Sequence, residues 1–145
     1  MISRYDKPEM SRLWTDEFKF ECFLKAELAL LQAWEENGLL EKGTTEKISP
    51  SLKINVSRIE EIEAETKHDV IAFCSSITEQ MPDNVSKYFH FGVTSSDIID
   101  TALTLQIKES LKLTIPALKE VCTTLLDLSS KSKGVLSMGR SHGMY

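Results

Sequence analysis

The three histidines of this 145-residue chain fall at the joints between helical patterns rather than in the middle of an apolar face: His68 in KHDV, His90 in FHFGVTSSD and His142 in GRSHG. An imidazole titrates at about 6.5, so it can give or take a proton near neutrality. Taken singly, each is also accounted for as a capping or surface residue without a ligand. Metal ligation is not expected, because no two histidines share a turn and no carboxylate cluster along the chain supplies a third ligand.

Other polar groups accompany them. In GVTSSD, Gly92 lets a backbone approach a ligand, and Thr94, Ser95 and Ser96 add hydroxyls to the free N–H groups of a helix start. Such a terminus binds carboxylate or phosphate, although a plain capping box explains the same residues. GRSHG is either a glycine turn or a loop displaying His142, with Ser141 beside it, to a substrate. Near the start, SRYDKPEM sets Arg4 beside Tyr5, a pair able to grip phosphate through charge-assisted hydrogen bonds or, equally, an ordinary solvated terminus.

The elements that must position these groups are helical. From Thr15 to Asn37, Phe18, Cys22, Ala26, Ala29, Leu30, Ala33 and Trp34 recur at steps of three and four and end before Gly38, a natural C-cap. A connection follows, with one short helix at TTEKIS. Capping-box spacing then occurs three times, at Ser57/Glu60, Thr66/Asp69 and Thr94/Asp97. It predicts a helix edged by Ile59 and Ile62, a second over residues 67–80 carrying Val70, Ile71, Phe73, Cys74 and Ile77, and a long third with Ile98, Ala102, Leu105 and Leu111. Pro116 suits the first turn of a further helix bearing Leu118, Cys122, Leu125 and Leu126. With no convincing strand alternation, the fold class is all-α.

Composition bounds the function. Hydrophobic residues at 41% and charged residues at 27% are those of a globular chain, and this length is enough for a real core. A net charge of -5 with no basic run gives nucleic acid or an anionic membrane no foothold. No stretch reaches the ~18 apolar residues of a membrane span, and the polar start lacks a signal-type apolar region, so a cytoplasmic protein is expected. Cys22, Cys74 and Cys122 are odd in number and widely spaced, which argues against a disulfide framework or zinc site and predicts buried reduced thiols.

In order along the chain, RYDKPEM, a tryptophan and long helix, KHDVIAF, FHFGVTSSDIIDTAL and MGRSHG together resemble the N-terminal part of the adenylosuccinate lyases, members of the fumarase and aspartase superfamily. The resemblance is collinear over all 145 residues. It implies an N-terminal helical domain over 1–110, and over 111–145 the start of the superfamily's central helical bundle, its first helix at about residues 111–133. It implies β-elimination of fumarate from adenylosuccinate and from the succinylated carboxamide ribotide of purine biosynthesis, with no cofactor or metal. By the same resemblance His142 is the general acid, His68 assists it, and Lys67 and Asp69 flank the substrate. Thr94, Ser95 and Ser141 hold a succinyl carboxylate, while Arg4 and Tyr5, with His90 nearby, hold the nucleotide phosphate.

Two departures matter. Ser141 stands where the family commonly has threonine, which keeps the hydroxyl. The loop carrying the family's general-base serine lies beyond residue 145, so the chain ends as if cut through an active-site segment and is expected to be inactive alone. The resemblance further implies a homotetramer whose active sites each draw on three subunits. Argininosuccinate lyase or fumarase is the neighbouring possibility, since TSSD is widely shared; a non-catalytic helical docking module is the distant one.

Overall fold

The computed structural model describes residues 3–144. After a 3-10 turn at Ser3–Tyr5 come α1 (Pro8–Arg12), α2 (Asp16–Glu36), α3 (Thr44–Ile48), a 3-10 turn at Ser49–Ser51, α4 (Val56–Thr66), α5 (Asp69–Thr78), α6 (Asp83–Ser86) and α7 (Ser95–Lys131). Among the described residues there is no strand, only an isolated antiparallel bridge between Ser141 and Met144, so the architecture is all-α. The chain divides after Ser110 into two compact units.

Helix α2 is the spine of the first unit. The Thr15 hydroxyl accepts the Phe18 amide at its start. At its end Gly38, with φ +79°, places its own amide on the Glu35 carbonyl and that of Leu39 on the Trp34 carbonyl, the paired bonds of a Schellman motif. The face this helix buries is not the one its apolar residues mark out. Phe20, Cys22, Phe23, Glu27, Leu31 and Glu35 are buried, while Ala29 is exposed. Two carboxylates occupy the buried stripe because their partners come from other segments.

The core forms around Phe73 of α5. Its ring stacks on Phe20 at 5.8 Å, meets Phe23 edge-on at 5.4 Å and lies 6.2 Å from Phe89. Leu31, Ile59, Ile77 and Ala102 close it, each with no exposed surface. Polar ties fix the periphery: Gln106 donates to the Leu13 carbonyl at 2.8 Å, and Gln80 exchanges hydrogen bonds with both backbone groups of Lys53 at 2.9 and 3.0 Å.

Helix boundaries correct several expectations. Asn55, not Ser57, caps α4, because its side chain accepts the Arg58 amide. Thr66 ends α4 instead of starting α5; Lys67 turns the chain in the left-handed region at φ 55°, and His68 becomes the cap of α5. At Thr94 the box is present in part, since the Asp97 carboxylate accepts the Thr94 amide at 2.8 Å. Pro116 starts no new helix and lies inside α7. There it lacks the amide that an interior helical residue donates, and the helix continues through it nonetheless.

In the second unit the rest of α7 leads to a turn around Gly134, φ +86°, and then to the segment ending in GRSHGM. Every described residue of this unit is exposed, including Leu118, Leu125 and Leu126. Cys122 is therefore exposed, contrary to the expectation of three buried thiols; Cys22 is buried and Cys74 half-buried, and all three are free.

Candidate functional site

Three non-glycine residues among those described have positive φ: Lys67 (55°), His90 (59°) and His142 (51°). Left-handed backbone costs an ordinary side chain roughly 1 kcal/mol and persists only where surroundings impose it. All three belong to the set singled out from sequence.

Lys67 and His68 form the corner between α4 and α5. His68 Nδ1 accepts the Ile71 amide at 3.4 Å and lies 3.5 Å from Asp69 Oδ1. The other ring nitrogen, Nε2, faces Ser95 Oγ at 3.4 Å. Two helix starts, 27 residues apart in sequence, thereby meet through their first side chains. Asp69 also accepts the Val70 amide at 2.8 Å. A groove of about 430 Å³ lies against Lys67, lined by Glu60, Glu63 and Ala64. A second groove, of about 610 Å³ and lined by Lys25, Gln32, Glu35 and Thr45 among others, contains none of the candidates.

The loop before α7 is built differently from its sequence reading. Gly92 has φ +77°, and a Cβ there would lie 3.3 Å from the Trp34 ring. The glycine serves a close approach of the loop to a core-packed tryptophan as well as a turn. Phe91 flanks the same indole at 5.9 Å. One step earlier, His90 sits on Glu27: the His90 amide donates to Glu27 Oε2 at 3.1 Å, and His90 Nδ1 lies 2.6 Å from Oε1. Burial pushes the Glu27 carboxyl above its ordinary value of 4.5, against the opposing hydrogen bonds and charge of His90. Burial likewise raises the thiol of Cys74, whose Sγ lies 3.9 Å from Glu27 Oε1.

Glu27, Cys74 and His90 place ligand-type atoms within 4.8 Å of one another. The carboxylate reaches His90 from 63 residues away in the sequence. A carboxylate, thiol and imidazole are a donor set that suits zinc. Here the three satisfy one another through hydrogen bonds. Sequence reading missed Glu27 because a glutamate within an amphipathic helix looks solvated, and the face that α2 buries is not the one its apolar residues mark out.

At the start of the chain the Arg4 guanidinium stacks over the Tyr5 ring, 4.9 Å from its centroid, and both residues are exposed. In the second unit, Ser141 and Met144 exchange backbone hydrogen bonds of 2.9 Å around His142 and Gly143, which have φ 51° and 79°. Positive φ at both central positions is the pattern of a type I′ turn, which Gly143 favours and which puts His142 at the exposed tip.

Residues 3–144 of this all-α chain match the lyase family profile, and the chain belongs to that family. Among curated relatives it is 40% identical to the adenylosuccinate lyase of Thermotoga maritima and 41% identical to that of Helicobacter pylori strain 26695, each alignment covering 100% of this chain and 33% of the relative. The chain thus spans about a third of the length of the relatives it matches. A solved structure, a fumarate lyase from Mesorhizobium sp. BNC1, superposes with a TM-score of 0.84 over 95% of this chain and 33% of that one; at 21% identity this speaks to the fold alone. No helix among the described residues is long and apolar enough to cross a membrane.

Proposed function

We propose that the chain forms part of an adenylosuccinate lyase, an enzyme releasing fumarate by β-elimination from adenylosuccinate and from the succinylated carboxamide ribotide of purine synthesis. The observation that carries this reading is the meeting of His68 with Ser95 at the starts of α5 and α7. It sets an imidazole beside a hydroxyl and a helix N-terminus, the groups an acid–base step on a carboxylate substrate requires.

In this reading His142, on its exposed turn, protonates the departing nitrogen, and His68 assists the acid–base step. Thr94, Ser95 and Ser141 hold a carboxylate of the succinyl group, and Lys67 and Asp69 flank it. Arg4 and Tyr5 grip the phosphate, and His90 adds a contact. The general base comes from sequence outside these residues, so the chain by itself turns nothing over. The exposed leucines of the second unit support a homo-oligomer, a homotetramer by family resemblance, and the setting is cytoplasmic.

The test is fumarate release, followed by absorbance, from adenylosuccinate, argininosuccinate and malate by the complete enzyme containing this segment. Release from adenylosuccinate that falls at least a hundredfold in His68→Gln and His142→Gln is expected. Preference for argininosuccinate or malate would reassign the substrate, and activity untouched by both substitutions would point to a docking module. Turnover by the 145-residue chain alone would overturn the divided-site reading.

A further inference from the structure

Glu27 has no exposed surface, and nothing in the proposed chemistry uses it. A buried carboxylate costs several kcal/mol unless its partners compensate, and an apolar residue of similar size would fill the same space without that penalty. What distinguishes Glu27 is a two-point hold on one residue: Oε2 takes the backbone amide of His90 and Oε1 its ring nitrogen. A carboxylate ion can only accept, so the nitrogen facing it carries the proton. The ring is 24% exposed, and Nε2 is left as the nitrogen able to exchange a proton or meet a ligand.

We propose that Glu27 is a positioning residue, which fixes His90 in its left-handed turn with the proton on Nδ1 so that the Nε2 lone pair becomes a hydrogen-bond-accepting edge of the loop leading into Thr94 and Ser95. The ligand class is a hydrogen-bond donor, a hydroxyl or N–H group of the substrate. This part of the proposal rests on the reading of His90 as a substrate contact. With the proton held on Nδ1, the Nε2 lone pair is turned away from Glu27 as a hydrogen-bond acceptor. A carboxylate behind an imidazole selects the tautomer in the same way in hydrolase triads.

Glu27→Gln separates positioning from bulk. The glutamine carbonyl can still accept the His90 amide, but its NH2 donates toward Nδ1 and drives the proton to Nε2. Nitrogen-15 NMR of the histidine side chains of the chain, at roughly pH 8.5 where an ordinary imidazole is neutral, is expected to show His90 as the Nδ1–H tautomer. In Glu27→Gln it is expected as Nε2–H, with His68 and His142 unchanged. An Nε2–H tautomer in the unsubstituted chain overturns the proposal, and that measurement stands even if the variant folds poorly. In the complete enzyme, Glu27→Gln is expected to raise KM for adenylosuccinate at least tenfold with a smaller change in kcat; an unchanged KM overturns the role of Nε2 as a substrate-facing acceptor. The tautomer is read without substrate, so failure of the proposed activity leaves it decisive.

Discussion

Glu27 and Glu35 lie two turns apart on one face of one helix, both buried, and the fold treats them in opposite ways. Glu27 meets an imidazole and a thiol deep in the core, and burial carries its carboxyl above the ordinary value. Glu35 meets the start of α3, where hydrogen bonds from Thr45 and the Gly43 amide hold it below that value. The balance sets the direction: desolvation outweighs the donors at Glu27, and the donors outweigh desolvation at Glu35. Glu35 works as a cap delivered from another helix, satisfying amides that α3 cannot satisfy itself. Glu27 works as a clamp on a loop.

The comparison breaks most visibly at Glu27. Glu27→Ala leaves the His90 amide and ring unpaired beside a cavity, and a loss of about 3–5 kcal/mol is expected in urea unfolding of the chain; a loss below about 1 kcal/mol would mean the clamp carries no stability. Gly92→Ala tests the same loop from its other side. It forces an L side chain to φ +77° and against Trp34, so a cost of about 1–2 kcal/mol is expected, and an unchanged unfolding midpoint would show that the loop yields freely.

Glu35→Ala uncaps α3 and is expected to cost about 1 kcal/mol, with early hydrogen exchange at the Gly43 and Thr45 amides as the local signature. The two carboxylates also differ in the sign of their pH dependence. Glu35 is depressed, so its stabilisation is present above the ordinary value of 4.5 and is lost as pH falls through the folded value. Glu27 is raised, so the stability tied to its protonated form is present below 4.5 and is lost as pH rises through the folded value, while His90 from the loop and Cys74 from α5, the groups facing it, pull the other way. Acid unfolding curves should therefore flatten at the low-pH side in Glu35→Gln and at the higher side in Glu27→Gln; matching shifts in both variants would contradict the contrast. The smallest effect belongs to the second unit, where Leu126, 72% exposed, should cost less than about 0.5 kcal/mol when replaced by alanine.

Helix existence was legible along the chain because apolar spacing and glycine punctuation are local. Gly38 closes α2 and Thr94 with Asp97 opens α7 where the residues indicate. Capping-box spacing misled at Ser57 and Thr66, since the motif is short enough to recur by chance and Asn55 and His68 offered the amides competing acceptors. Of the candidate site, the histidines and the Thr94–Ser95 start were readable as residue types at helix joints. The contact of His68 with Ser95 and the dependence of His90 on Glu27 were not.

What the sequence by itself determined is the all-α class, the positions of most helices and the family to which the chain belongs, because periodicity, caps and motifs are written in neighbouring residues. Only the tertiary structure decided which face of α2 is buried, that Gly92 answers to Trp34, and that a glutamate in the middle of a helix holds a histidine 63 residues away. A buried charge is tolerated only where partners from elsewhere in the chain compensate its desolvation, and no local pattern announces such partners.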